Sequence, residues 1–381
     1  MGGPMTERHD FEVIVVGAGI AGASLAYFLA EQGCGDVLLL EREAQLAVHS
    51  TGRSAATLSS ADENPTLLRI KQAAKPFFLA PPAGFSENPL LRASGVLGVY
   101  PEPLWSTLRS ALAALRATGL NATLVEPDEV LRRVPVLERS QFAGGILIPD
   151  DGRLDVHEIL SSYLRHARAR GAILKLGREV LEVVVEGGRC RGVRMRDEVF
   201  RSRIVVDAAG AWAGQVARLA GAMAIELVPH RRTIVTFAPP AGLATADWPM
   251  VASSAHDLYF APEAGDLLLS PMDEDAMAPC DPSPDDAVVA DGLARFGKLA
   301  PALVPRSLKR RWSGLRTFAP DRVHVVGEDP TLPGFFWLAG QGGCGIETSP
   351  LIGRVAADLV LHGRSDAFDT ELLSPARFAV S

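Results

Sequence analysis

The chain opens on short apolar runs separated by glycine-rich turns. Residues 11–16 are mostly β-branched, a pattern typical of a buried parallel strand. Residues 23–32 read as a helix that Gly33 ends, and residues 37–40 form a second short apolar run. This order of strand, turn, helix and strand predicts a βαβ unit at the start of an α/β fold.

Similar elements return more than a hundred residues later. Asp155, with Glu158 three places on, predicts a helix N-terminus before apolar positions at helical spacing. Gly171 ends this helix. Strand-like runs then follow at residues 179–185, 192–195, 204–209, 323–326 and 334–339.

The segments between these elements have a different pattern. Residues 76–150 are richer in proline and amphipathic pieces, and residues 222–312 alternate strand-like runs with polar loops. We therefore expect two domains, each assembled from interleaved segments of the chain.

Composition excludes several function classes. The net charge of -7, without any basic run, argues against a nucleic-acid partner. The four cysteines form no CxxC or Cys/His cluster, so neither a disulfide framework nor a metal site is expected. No signal peptide and no integral membrane segment are visible, and we expect a cytoplasmic protein.

The first turn carries the strongest chemical signal. Gly17 permits a tight turn, Gly19 lets backbone N–H groups approach a pyrophosphate, and Gly22 lets helix and strand pack closely. Glu41, directly after the second strand, is placed to bind ribose hydroxyls. Strand, turn, helix, strand and acid in register predict a dinucleotide site.

Two further blocks favour FAD over NAD. Residues 49–56 (HSTGRSAA) follow the βαβ unit at once, and residues 335–349 form a strand, a glycine-rich loop and a helix start. Such a loop can aim a helix N-terminus at a ring carbonyl and stabilise negative charge there.

These residues resemble the D-amino-acid-oxidase-type family of FAD-dependent oxidoreductases, and most closely its bacterial D-arginine dehydrogenase members. The resemblance covers almost the whole chain and is carried by residues 42–45 (REAQ), 51–56 (TGRSAA), 81–85 (PPAGF), 208–212 (AAGAW), 312–316 (WSGLR) and 334–349.

The resemblance implies an α/β fold with an α+β substrate domain. A Rossmann-like FAD-binding domain of the glutathione-reductase type is expected, interleaved with an antiparallel-sheet substrate domain. The expected FAD-binding segments are residues 1–75, 145–221 and 313–381, and the expected substrate-binding segments are residues 76–144 and 222–312.

It also implies a non-covalent FAD site built from several stretches of chain. The implied cofactor residues are Gly17, Ala18, Gly19, Ile20, Ala21 and Gly22 near the pyrophosphate, Glu41, Arg42 and Val180 at the adenosine end, Thr51, Gly52, Arg53, Ser54 and Ala55 along the flavin ring, Ala209, Gly210, Trp212 and Arg316, and Gly342, Gly343, Cys344, Gly345, Ile346, Glu347 and Thr348 around the pyrimidine edge.

The implied reaction is hydride transfer from the α-carbon of an amino acid to flavin N5. An arginine pair would fix the substrate carboxylate, since a guanidinium holds a carboxylate through two parallel hydrogen bonds. The implied catalytic residues are Arg231 and Arg316 as that pair, Tyr259 and Gly343. The imino acid formed would hydrolyse to a 2-oxo acid and ammonia.

The chain departs from the D-arginine enzymes where the substrate side chain should lie. Val96 stands where an acidic residue would meet a cationic side chain, and Thr57 and Asp62 stand where a histidine and a tyrosine are expected. Asp62 is either a counter-charge or a solvated loop residue. A pocket lined by Val96 favours a D-amino acid with a neutral or apolar side chain.

Other activities on the same fold stay open. They are a sarcosine/glycine-type amine oxidase that uses oxygen, a 2-hydroxy-acid dehydrogenase with His49 or His256 as base, a tailoring enzyme for a modified amino acid, and a flavoprotein without turnover. No lysine occurs between Lys175 and Lys298, where an oxygen-activating lysine is expected, which favours a quinone or another carrier over oxygen as electron acceptor.

Overall fold

The computed structural model describes residues 9–379, whose strands form three sheets. The first sheet contains β1 (Asp10–Val16), β2 (Val37–Leu40), β9 (Ile173–Lys175), β10 (Glu182–Glu186), β11 (Arg189–Arg194), β12 (Val199–Asp207), β18 (Val325–Glu328) and β19 (Phe335–Ala339). The second contains β5 (Val96–Tyr100), β6 (Thr123–Val125), β7 (Gly144–Ile148), β13 (Val228–Phe237), β14 (Met250–Ser253), β15 (Leu258–Glu263), β16 (Asp266–Ser270) and β17 (Arg310–Phe318). A small third sheet joins β3 (Thr57–Leu58), β4 (Leu91–Arg92) and β8 (Gly152–Leu154).

The α-helices of the described residues surround these sheets. They are α1 (Ile20–Glu31), α2 (Pro65–Leu79), α3 (Leu104–Ala117), α4 (Pro127–Arg133), α5 (Val156–Ala169), α6 (Ala213–Ala220), α7 (Asp286–Leu299) and α8 (Gly345–His362).

Helix α1 is apolar on nearly every side, because it is enclosed by the first sheet, α5 and α8. Helix α5 begins at the N-cap Asp155, whose side chain accepts the N–H of Glu158 at 2.8 Å. The sequence pattern therefore located this helix start correctly.

The centre of the first sheet is parallel. Strand β1 pairs in parallel with β2 and with β12, and β12 pairs in parallel with β19. The carboxyl ends of these four strands therefore meet at one edge of the sheet, where ligands bind in open α/β folds. The loops that start at residues 17, 41, 208 and 340 all leave from this edge.

The second sheet is antiparallel except where β5 and β14 pair in parallel. Its side chains alternate between two faces, as in any strand. One face packs on α4 and α7 through a large apolar core that includes Phe237, Phe260 and Phe296. The other face packs against the loop that contains Ala55. The predicted combination of a Rossmann-like domain and an antiparallel substrate sheet is thus confirmed.

The domain bounds remain a prediction, and two of them divide strands. The expected cofactor segments begin at residues 145 and 313, but β7 and β17 both belong to the second sheet. The expected bounds lie where the sequence becomes more apolar. Both strands continue across those positions, so the change in composition does not mark a domain boundary. Residues 1–8 and 380–381 of the expected segments lie outside the described residues.

Between residues 9 and 379 we find no helix whose length and apolar character would allow it to cross a bilayer.

The last residue of β12, Asp207, is a carboxyl group inside the core. It is 0% exposed, one oxygen accepts the N–H of Ala209 at 3.1 Å, and the other has no partner among the described residues. Burial raises the pKa of Asp207 from 3.8 to about 8. The folded protein therefore binds more protons than the unfolded chain across this range. The stability that this group contributes is present below about pH 4 and is lost as pH rises through about 8.

Replacing Asp207 with asparagine is expected to remove this pH dependence. At pH 9 the wild-type carboxylate is ionised and buried, so D207N should be more stable by about 1–3 kcal/mol, with a smaller difference at pH 5. Urea unfolding at several pH values measures this. The control is D247N, because the Asp247 side chain is 99% exposed. Parallel stability curves for D207N and wild type would contradict the assignment.

Candidate functional site

The turn between β1 and α1 is packed too closely for side chains. Gly17 has a φ of +106°, and a Cβ there would lie 2.5 Å from the Ala208 carbonyl oxygen. A Cβ on Gly22 would lie 2.0 Å from the Gly17 carbonyl oxygen. The N-cap of α1 is Gly19, which has no side chain to cap the helix. Apart from the Ile20 N–H, which the Thr51 hydroxyl accepts, the first turn of α1 is thus open to an anion.

A cleft lies beside this turn, and we call it the turn cleft. It encloses about 1120 Å³ free of protein atoms, including its opening to solvent. Its residues come from the carboxyl ends of the parallel strands and from α6. Among the predicted cofactor residues it is lined by Gly17, Gly19, Glu41, Arg42, Thr51, Val180, Ala209, Gly210 and Trp212.

The acid after β2 reaches back to the glycine turn. One carboxylate oxygen of Glu41 accepts the N–H of Ala18 at 3.1 Å, and the other accepts the N–H of Glu43 at 3.0 Å. Nearby, the Arg42 guanidinium lies 3.9 Å from the centre of the Trp212 ring. This arrangement places a carboxylate and a flat cation–aromatic pair where an adenosine would lie.

A second cleft separates the two large sheets, and we call it the interface cleft. It encloses about 840 Å³ free of protein atoms, a volume that includes its opening to solvent. Its lining joins the start of α1, the 50–54 loop, β13, β17 and the 340–346 loop. Gly19, Ser50, Thr51, Ala208 and Gly210 line both clefts, so the two clefts adjoin at the β1–α1 turn.

Two arginines of the second sheet reach the interface cleft. Arg232 lies on β13 and Arg316 on the neighbouring β17, where Gly314 pairs with Arg232. Burial, and then the nearby Arg316, lower the pKa of Arg232 to about 10. Among the described residues Arg316 has no acidic partner. Two close cations with one of them unpaired form a site for an anion.

The structure does not bring Arg231 to this cleft. Its side chain lies on the opposite face of β13, where it forms ion pairs with Asp273 at 3.1 Å and Asp275 at 2.6 Å. Adjacent residues of a strand face opposite ways, so only one of two consecutive arginines can enter the cleft. Arg232, and not Arg231, is therefore the arginine of β13 that reaches the cleft.

The glycine-rich loop before α8 packs directly on Arg316. A Cβ on Gly343 would lie 2.8 Å from a guanidinium nitrogen of Arg316. Gly342 has a φ of +51°, and a Cβ there would lie 2.4 Å from the Phe318 ring. The Gln341 side-chain nitrogen, also in this lining, is buried and has no partner among the described residues. This amide nitrogen can therefore donate a hydrogen bond to a ligand.

The residues of the 51–55 loop have different environments. Thr51, Arg53 and Ser54 line the interface cleft, and the Thr51 hydroxyl accepts the N–H of Ile20 at 3.1 Å. Gly52 is required by packing, because a Cβ there would lie 2.0 Å from a carbonyl oxygen. Ala55 faces the second sheet. The loop thus ties the start of α1 to the substrate side of the cleft.

Neither cleft is lined by the three residues predicted for the side-chain pocket, Thr57, Asp62 and Val96. Val96 and Tyr259 belong to one buried cluster with Ile234, Met250 and Leu268. Tyr259 lies close enough to Arg232 to interact with it electrostatically. Thr57 stands at the edge of this region: its strand β3 pairs with β8 at Arg153.

Asp62 has a third environment, neither of the two expected. It forms an ion pair at 2.9 Å with the buried Lys71, which also pairs with Glu347 at 3.0 Å. Glu347, Thr348 and Cys344 are buried behind the start of α8, while Gly345 and Ile346 of that helix line the cleft. Burial raises the pKa of the Cys344 thiol to about 12, so this cysteine stays protonated.

Neither histidine that was considered as a base lies at the interface cleft. His49 borders the turn cleft, where it bonds Glu43 at 2.8 Å. His256 is buried in the second domain between Ser253 at 2.9 Å and Gln141 at 3.1 Å. Both are therefore structural in this arrangement.

Sequence reasoning missed Arg232, Gln341, Ser50 and Lys71. Arg232 could have been found from the phase of the β13 pattern, since Ile234 and Arg232 share a face. Lys71 gave no local signal, because its partners are distant in sequence.

This geometry agrees with the comparisons with known proteins. Residues 12–359 match the family described as DAO, FAD dependent oxidoreductase. The chain belongs to this DAO family. It is an FAD-dependent oxidoreductase, as the glycine turn and the two adjoining clefts suggested.

Two DAO-family relatives act on N-methylated amines, as their names state. The 4-methylaminobutanoate oxidase of Paenarthrobacter nicotinovorans is 26% identical over 96% of this chain, and the mitochondrial dimethylglycine dehydrogenase of Homo sapiens is 24% identical over 96% of it. The chain spans less than half of each relative, 45% and 44% of their lengths.

Solved structures share the fold. An L-proline dehydrogenase from P. horikoshii superposes with a TM-score of 0.86 at 23% identity, with 98% of each chain covered. A glycine oxidase from Geobacillus kaustophilus gives 0.84 at 23% identity, covering 98% of this chain and 100% of the other.

The residues that line the two adjoining clefts fit FAD. The uncapped N-terminus of α1 suits the pyrophosphate, Glu41 suits the ribose, and the orphaned Gln341 amide faces the cleft beside the start of α8. Gly345 and Ile346 would then border the flavin ring. The individual contacts predicted for the other cofactor residues stay predictions.

Truncating Glu41 is expected to weaken FAD binding. Loss of a charge-assisted hydrogen bond costs about 1.5–3 kcal/mol, so the Kd of E41A for FAD should rise about ten- to hundredfold. Titration of the apoprotein with FAD, followed by flavin fluorescence, measures this. The control is E31A, at the far end of α1, where Glu31 pairs with Arg170. An unchanged Kd for E41A would remove Glu41 from the cofactor site.

Proposed function

We propose that this chain oxidises a small amine that carries a carboxylate, with D-amino acids of neutral side chain preferred. The observation that supports this most directly is the pair of Arg232 and Arg316 in the interface cleft, where Arg316 has no acidic partner among the described residues.

The arginine pair would orient the substrate. Two guanidinium groups on adjacent strands can hold one carboxylate through parallel hydrogen bonds, and Tyr259 stands nearby. Because both strands belong to one sheet, the carboxylate is held against a rigid frame. Fixing it also fixes the α-carbon, which removes much of the entropic barrier to reaction.

The reaction needs a neutral amine. Bound FAD supplies an acceptor for the α-hydrogen and its two electrons, taken together as a hydride. The C–N bond becomes an imine, one proton leaves the nitrogen, and water later converts the imine to a 2-oxo acid and ammonia. The positive charges of Arg53, Arg232 and Arg316 lower the pKa of an amine bound beside them, so its proton is lost to water more readily.

The cleft contains no side chain suited to general-base catalysis. Its described lining includes arginines, hydroxyl groups and an amide, but neither a carboxylate nor a histidine or lysine. An alcohol needs such a base, because its hydroxyl does not ionise near neutral pH. An amine does not, which favours amino acids over 2-hydroxy acids.

The apolar cluster beside the clamp supports a neutral side chain. Val96, Ile234, Met250 and Leu268 present methyl and methylene groups on the face of the second sheet toward the loop with Ala55. A charged side chain would lose its hydration there without gaining a partner. This supports small or apolar substituents on the α-carbon.

An N-methylated amino acid is a second candidate. The curated relatives named above are an oxidase and a dehydrogenase of N-methylated amines. The same arginine pair would serve such substrates, since they also carry a carboxylate. Products separate the two candidates: a primary amine yields ammonia, whereas oxidation of an N-methyl group yields formaldehyde.

We propose a quinone or another carrier as electron acceptor in place of oxygen. The absence of lysine between Lys175 and Lys298 supports this, because that stretch supplies β13 to β16 of the substrate face. Oxygen consumption under turnover, compared with reduction of a soluble quinone, tests this assignment directly.

The test of function compares two adjacent arginines. R232M should lower kcat/KM for a D-amino acid about 10²- to 10³-fold, because truncating one partner of a desolvated charge pair costs several kcal/mol. R231M, on the opposite face of the same strand, should lose less than R232M, because Arg231 lies outside the cleft. Anaerobic bleaching of the flavin, with D- and L-amino acids, N-methyl amines and hydroxy acids, gives the rates.

Three outcomes would overturn parts of this proposal. Equal losses in R231M and R232M would remove the clamp assignment. Bleaching by L-amino acids or N-methyl amines alone would keep the clamp and replace the substrate. Bleaching by hydroxy acids alone would contradict oxidation of an amine.

A further inference from the structure

Helix α2 buries two lysines, and the first of them reaches the start of α8. Lys71 has a side chain only 8% exposed, with its ammonium 2.9 Å from Asp62 and 3.0 Å from Glu347. Glu347 lies in the first turn of α8, and its other oxygen accepts the N–H of Ser59 at 2.7 Å. This group of three charges contains two acids and one base, and its net charge is negative.

Glu347 has an unusual position. The start of α8 is expected to stabilise negative charge on a bound flavin ring, yet Glu347 places a carboxylate in the same helical turn. The N-terminus of α8 carries the positive end of its dipole toward the interface cleft. A buried carboxylate within that first turn opposes this potential. An opposite charge beside the carboxylate offsets the effect, and Lys71 supplies it.

Lys71 and Glu347 lie 3.0 Å apart as an ion pair, and their surroundings shift the pKa of each. Burial opposes charge on Lys71, but its acidic neighbours Glu347, Cys344 and Asp62 together outweigh burial and raise the pKa of Lys71. Burial raises the pKa of Glu347 as well, against the opposing effects of Lys71 and the Ser59 N–H. Removing Lys71 would therefore leave a carboxylate that is both buried and unpaired.

We propose that Lys71 is a positioning residue that sets the reduction potential of bound FAD, by neutralising Glu347 behind the first turn of α8. The inference rests on the FAD site and does not require the proposed substrate. It adds a residue from α2, outside both clefts, to the groups that govern flavin chemistry. The pair also joins α2, the 57–60 segment and α8 into one unit.

Charge counting gives the sign of the effect. Removing Lys71 makes the group more negative by one charge and lowers the potential, because reduced FAD carries more negative charge than oxidised FAD. Removing the charge of Glu347 has the opposite effect. Removing both restores the original net charge, so the double variant should return to the wild-type potential.

The experiment measures the midpoint potential of FAD in the holoproteins K71M, E347Q and K71M/E347Q. Each is reduced in equilibrium with a reference dye, without any amine substrate. We expect K71M to lose about tenfold in affinity for reduced relative to oxidised FAD, which is about 30 mV for two electrons. E347Q should shift by a similar amount upward, and the double variant should stay within twofold of wild type.

The matched control is K75M. Lys75 lies one helical turn further along α2, is equally buried, and pairs with Asp150 and Asp151 without contacting Glu347. We expect less than a twofold change in the same affinity ratio. A general effect of losing a buried lysine would shift K75M as much as K71M.

A pH series provides a second, independent readout. The groups that face this pair are Asp62, Asp151, Cys344 and His324. His324 is held neutral, since burial lowers its pKa to about 3, and Cys344 is held protonated, so neither changes charge between pH 6 and 9. In K71M the unpaired Glu347 takes up a proton as pH falls, and the deficit in potential should shrink from pH 9 to pH 6. This extra pH dependence should vanish in K71M/E347Q.

Several results would overturn the inference. K71M and E347Q with the potential of wild type at every pH would show that the pair has no effect on the flavin. Shifts of the same sign in both variants would show a structural effect. If K71M does not fold, E347Q and the isosteric double variant still test the sign and the restoration. Failure of all amine substrates leaves these measurements unaffected, so the two proposals fail separately.

Discussion

The contact between two backbone segments at the β1–α1 turn is the constraint on which the site depends. The Gly17 carbonyl oxygen occupies the place where a side chain on Gly22 would begin, and the Ala208 carbonyl does the same for Gly17. This close approach sets the start of α1 against the ends of β1 and β12. A methyl group added at either glycine would push the strand ends away from the helix. The two clefts that share this turn would then change shape.

The site also depends on two positive charges inside the protein, those of Arg232 and Arg316. Arg232 is only 5% exposed, and such a group needs hydrogen-bond acceptors to offset its lost hydration. The Asp273 carbonyl at 2.8 Å and Glu274 at 2.9 Å supply part of this. Arg316 has no acidic partner among the described residues. Its positive charge at the cleft can therefore bind an anionic group of a ligand, which the proposed function takes to be a carboxylate.

Much of the fold and part of the site could be predicted from the sequence, for physical reasons. A buried parallel strand and a glycine turn leave local signals, so the elements around Gly17 and Glu41 were located correctly. The choice between Arg231 and Arg232 depends on strand phase, and one residue of shift reverses it. The pairing of Lys71 with Glu347 joins positions 276 residues apart, which no local pattern records.

The separation of the carboxylate clamp from the apolar cluster has a consequence for how this site diversifies. The clamp is fixed by backbone pairing between β13 and β17, whereas Val96, Met250 and Leu268 are side chains on other strands. Substitutions in the apolar cluster can therefore reshape the pocket without moving the guanidinium groups. A lineage that inherits this frame can change the volume of this region through a few substitutions while the two guanidinium groups stay in place.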